Sequence, residues 1–132
     1  MKTKKEIKIE MKKLSKEVNE SQLNRFMLNY YLNLKYEELP EARDAVKYKI
    51  RFHKRLIKEL TKEVKISKKN NDRYLKEISD YIDELEHFIN LSVEIIKVID
   101  ARKKYFELKK EYKNYSKKDK KNTKLSETIC RS

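Results

Sequence analysis

The chain has 132 residues, 35 Lys and Arg against 22 Asp and Glu, a formal net charge of +13, no glycine, one proline and one cysteine. Without glycine it has no cheap route to the positive-φ turns of tight hairpins or to phosphate-cradling loops, which excludes most β and nucleotide-binding α/β folds and leaves an all-α chain of one domain. Charged residues make up 43% and the mean hydropathy is -1.00, so only periodicity separates a fold from disorder here.

The first segment, Thr3 to Tyr36, carries Ile7, Met11, Leu14 and Val18 at steps of four, three and four. That is a heptad seam. The seam then shifts phase: Leu23, Met27, Tyr30 and Leu34 repeat it one residue late, with Phe26 and Tyr31 beside them. A slip of this kind changes the local supercoil and lets the two halves face different neighbours.

Pro40 marks a corner at Glu37–Leu39, since proline suits a first helical turn and biases the residue before it away from the helical region. A second helix is predicted from Pro40 to Lys69, with Glu41 and Asp44 near its positive end and a seam of Val46, Ile50, His53, Ile57, Leu60 and Val64. The polar stretch Ser67–Asp72 supplies caps for a third helix over residues 71–115, with Asn70 or Asn71 at the N-cap. Its seam is Leu75, Ile78, Ile82, Leu85, Ile89, Ser92, Ile96 and Ile99. A flanking row of Tyr74, Tyr81, Phe88 and Ile95 repeats every seven residues and widens the apolar face enough to meet two helices. Residues 117–132 have no period and five lysines (117, 118, 120, 121 and 124), and they read as a basic disordered tail after a helical domain of residues 1–116.

Short connections make successive helices antiparallel, so the expected fold is a three-helix bundle, or a helical hairpin, with coiled-coil seams. At 1.5 Å per residue the third helix, about 66 Å, outruns the second, about 43 Å, by roughly 20 Å. The first helix is expected to run back along the second and to leave this overhang uncovered. Tyr105, Leu108, Tyr112 and Tyr115 continue an apolar seam along it. Exposed stripes of this kind mark contact surfaces, so the overhang is the expected self-association or partner seam.

The second helix also carries Arg51, Arg55, Lys58, Lys62, Lys65 and Lys69 in one stripe on the side away from its seam. Arg51–Arg55, Lys58–Lys62 and Lys65–Lys69 are like-charge pairs at i, i+4, each costing a few tenths of a kcal/mol. Phosphates or an acidic protein would offset that cost. Two blander readings stand beside it: pairing with Glu77, Asp80, Asp83, Glu84 and Glu86 of the third helix, and simple solvation. An AT-rich coding sequence would also enrich lysine and tyrosine.

Catalytic chemistry finds little footing. Glu84–His87 is one Glu-x-x-His, the ligand pair of di-iron carboxylate bundles, but the second pair such a site needs is missing. His53 sits at a seam position and reads as a register-setting polar residue. Cys130, in the tail, has no histidine at fixed distance and cannot form an internal disulfide. No apolar stretch is long enough to span a bilayer, and the N-terminal stripe is too narrow for a membrane-surface helix. The sequence therefore predicts a cytoplasmic, non-enzymatic interaction protein without metal or cofactor. It is expected to self-associate or bind a protein partner. The alternative is a nucleic-acid accessory protein touching DNA or RNA phosphates without reading sequence.

Overall fold

In a computed structural model the chain is all-α. The structure describes the backbone of residues 2–67 and 72–131 and the side chains of residues 2–66 and 73–115. Four α-helices occur among them, α1 (Lys4–Asn19), α2 (Arg25–Leu32), α3 (Leu39–Ser67) and α4 (Asp72–Arg131), with a single 3-10 turn at Tyr36–Glu38 between α2 and α3. There is no strand among the described residues. Two compact units result: residues 1–20 with residues 100–132, and residues 21–99. Helix α4 contributes to both.

The expected single helix from Thr3 to Tyr36 is two helices. Its break falls at residues 20–24, at the phase slip between Val18 and Leu23. Local capping explains the two starts. Thr3 accepts a hydrogen bond from the Glu6 amide, and the Glu6 carboxylate accepts one from the Thr3 amide, closing a capping box. Asn24 Oδ1 accepts from the Met27 amide at 2.8 Å and opens α2. Restarting the helix there rotates the later seam: Tyr31 is half-buried, whereas Tyr30 is exposed and meets Tyr31 edge-on at 5.1 Å. Phe26 is 86% exposed.

In the first unit α1 lies antiparallel to α4 beyond Asp100. Lys4 sits over the Tyr112 ring, and Glu10, two turns on, meets Lys104, two turns back. Ile7, Leu14 and Val18 of the first seam are buried with Ala101 and Leu108 of α4. Each of the Ile, Leu and Val side chains contributes about 1.5–3 kcal/mol when withdrawn from water.

In the second unit α3 and α4 pack as an antiparallel hairpin. His53, about four turns before the end of α3, meets Phe88, between about four and five turns after the start of α4, with their rings 6.2 Å apart. Leu23, Leu39, Val46, Ile78, Leu85, Ser92, Ile95, Val98 and Ile99 are buried here. These include Val46 and the alternate seam positions of α4 that the heptad pattern selects. The flanking row is the exception. Tyr74, Tyr81 and Phe88 stay 45%, 45% and 50% exposed, and only Ile95 is buried. Helix α2 has eight residues, about 12 Å, whereas the row from Tyr74 to Ile95 extends about 31 Å. It is too short to cover the row.

Helix α4 continues as helical backbone to Arg131, past Tyr115 where the apolar period ends. The expected caps Asn70 and Asn71 and stripe residue Lys69 lie outside the described residues, as do the side chains of the tail, Cys130 included.

Candidate functional site: the basic face of α3

Arg51, Arg55, Lys58, Lys62 and Lys65 are all exposed on α3. The seam of the same helix turns the other way, with Val46 buried and Ile50, His53, Ile57, Leu60 and Val64 half-buried. The steps of three and four residues that bury one face of a helix put these cations on another. From Arg51 to Lys65 the stripe runs about 21 Å.

The described side chains of helix α4 do not neutralise it. Among the described residues none of the five cations forms an ion pair or a hydrogen bond. Of the acids on the facing segment, Glu77 pairs with Arg73 of its own helix at 3.8 Å, while Asp80, Asp83, Glu84 and Glu86 form no ion pair among the described residues. The internal-pairing reading of the stripe therefore finds no contact among the described residues. All four of those acids are exposed and stay solvated on α4.

The tyrosine seam of the overhang is a different case. Tyr105, Leu108, Tyr112 and Tyr115 were expected to stand uncovered, and α1 covers most of them. Leu108 is buried, Tyr105 and Tyr112 are half-buried, and Tyr115 is 38% exposed. Arg102 lies on the same stretch with its guanidinium 4.4 Å from the Phe106 ring centroid, a cation–π contact within the unit.

His53 occupies its seam position half-buried between Phe52, at 6.0 Å, and Phe88. Its Nδ1 atom has no hydrogen-bond partner among the described residues. His87, the histidine of the Glu-x-x-His pair, is exposed beside Phe88. Among the described residues no group of three or more His, Cys, Asp or Glu side chains is close enough to hold a metal ion. No helix among them is long and apolar enough to cross a membrane.

One feature of α1 was not anticipated from sequence. Lys8, Met11, Lys12 and Lys16 line an open groove of about 660 Å³ with Tyr105 and Tyr112 of α4. The signal was present in the i, i+4 spacing of Lys8, Lys12 and Lys16, but a lysine row acquires a wall only when a second helix packs beside it.

No family model, curated protein or solved structure matches the chain.

Proposed function

We propose that this chain is a non-enzymatic interaction protein of the cytoplasm that docks the phosphate backbone of a nucleic acid along α3. One observation carries the reading: five exposed cations stand in a single stripe with no internal partner among the described residues. Holding like charges at i, i+4 costs the helix stability, and phosphates offset that cost by releasing their counterions. Each strand of B-DNA carries a charge about every 3.4 Å of helix axis, so a stripe of about 21 Å laid along that axis spans the rise of about six phosphates of one strand. Contacts of this kind position a protein on a duplex without reading its bases. The net charge of +13 adds a long-range attraction of the same sign.

A mobility-shift titration at two salt concentrations tests the reading. Binding at low salt that weakens steeply at high salt is the expected result. The absence of a complex at low salt would overturn it.

Self-association is the second reading, and a surface other than the expected one favours it. Tyr74, Tyr81 and Phe88 are exposed at the seven-residue spacing that a second coiled-coil strand accepts. Sedimentation that finds a monomer at high concentration would remove this reading and leave the first intact.

A further inference from the structure

The geometry points to a second binding site in the unit that contains α1: the groove walled by Lys8, Lys12 and Lys16 takes an acidic amphipathic helix of a protein partner. Its volume of about 660 Å³ lies in the range of ordinary ligand pockets. Its form is elongated, however, because the lining runs along α1 from Lys8 to Glu20, the residue that caps its C-terminal end, about 18 Å. That length suits three turns of helix better than a compact small molecule. Met11, Tyr105 and Tyr112 supply the apolar wall and are each only half-buried, so an occupant would withdraw further apolar surface from water. Tyr105 and Tyr112 are one heptad apart, the repeat at which a third helix would seat its own apolar residues.

Charge selects the sign of the occupant. Lys8 and Lys12 are exposed and form no ion pair among the described residues, and Lys16 reaches only Glu20, at 3.9 Å. A partner helix with glutamates or aspartates beside its apolar row would neutralise this rim. A nucleic-acid strand fits less well. Strand binding needs aromatic faces open for stacking, and one face of the Tyr112 ring already carries the Lys4 ammonium, 5.1 Å from the centroid.

The proposal does not depend on the α3 stripe, and its test keeps the two apart. The probe is a fluorescein-labelled peptide of about fourteen residues with leucines at a and d and glutamates at e and g, titrated against the full chain by fluorescence anisotropy. Saturable binding is expected, with a scrambled peptide of the same composition at least about tenfold weaker. The exposed-site variant Lys8→Glu/Lys12→Glu should lose the peptide by a similar factor and recover binding when lysines replace the peptide's glutamates. Met11→Gln, which keeps the charge, should weaken the acidic peptide as well. Arg55→Glu/Lys58→Glu/Lys62→Glu should leave peptide binding unchanged. Absence of saturable binding, equal binding of the scrambled peptide, or indifference to the Lys8 and Lys12 changes would overturn the proposal. So would a short oligothymidylate that binds the α3 triple variant more tightly than the peptide does, which would give the groove to a nucleic-acid strand.

Discussion

Lys104 Nζ stands 3.1 Å from Glu10 Oε1, and Lys2 reaches the other oxygen of the same carboxylate. Glu10 therefore ties the N-terminal segment and α1 to the later part of α4 through one charged group. The hydrogen bond from Lys2, then that from Lys104, holds the Glu10 carboxyl below the ordinary carboxylate range, and Glu10 in turn raises Lys2 above the usual lysine value. Because the Glu10 value is lowered on folding, its stabilisation is present above the unfolded value and is lost as pH falls through the folded one. Lys2 behaves oppositely, holding its contribution below the ordinary lysine value and losing it as pH rises through the raised one. Glu10→Gln should lower the melting temperature at neutral pH and flatten its fall on acidification. Thermal melts of both chains from neutral to strongly acidic pH measure this, and parallel curves would refute it.

Ile7 is 0% exposed, whereas Ile9, two residues on, is 58% exposed. Ile7→Ala leaves a cavity between α1 and α4 and should cost about 2–5 kcal/mol. Ile9→Ala should stay within about 0.5 kcal/mol. Urea unfolding of the two variants compares them directly, and equal losses would contradict the packing of α1.

The Asn24 cap separates α2 from α1. Asn24→Ala removes the acceptor of the Met27 amide and should cost about 1 kcal/mol. Amide exchange should rise first at Met27 and Leu28. Unchanged protection there would mean that another group caps α2.

The α3 stripe gives a prediction about slope as well as affinity. Arg55→Gln/Lys58→Gln/Lys62→Gln should weaken nucleic-acid binding and reduce the steepness of log K against log salt by about three, since each lost phosphate contact removes about 0.9. The melting temperature should hold or rise slightly, because like-charge pairs on the helix are relieved. Lost binding together with a collapsed fold would point to a structural role instead.

Substitutions along the α4 tyrosine seam should act on folding. Leu108→Ser places a hydroxyl in a buried position and should destabilise the unit formed with α1 by several kcal/mol, about 3 by analogy with other core truncations. Tyr115→Ser, at an exposed site, should change stability little. Far-ultraviolet circular dichroism and thermal melts separate the two. An effect of Leu108→Ser on assembly alone, with stability unchanged, would restore the expectation of an uncovered seam.

Much of the fold was legible because helical periodicity is a local property. Ile7, Leu14 and Val18, or Ile78 and Leu85, are spaced so that any helix containing them has one apolar face. The same spacing set Arg55 and Lys58 on the outer side of α3 before any partner was known. The phase slip after Val18 was visible too, although its outcome, a helix break with α2 capped by Asn24, needed the backbone to choose between one continuous helix of altered supercoil and two separate ones.

The sequence by itself determined that the chain is helical, which faces of its helices are apolar and where the cations stand, because these follow from 3.6 residues per turn and the side chains present. Tertiary structure alone decided which seam covers which. A heptad stripe asks for a helical neighbour without naming one, and Leu108 of α4 could have met α1, a second chain or water. In the first unit α1 packs on the later part of α4, which buries Leu108, half-buries Tyr105 and Tyr112 and walls the groove of Lys8, Lys12 and Lys16.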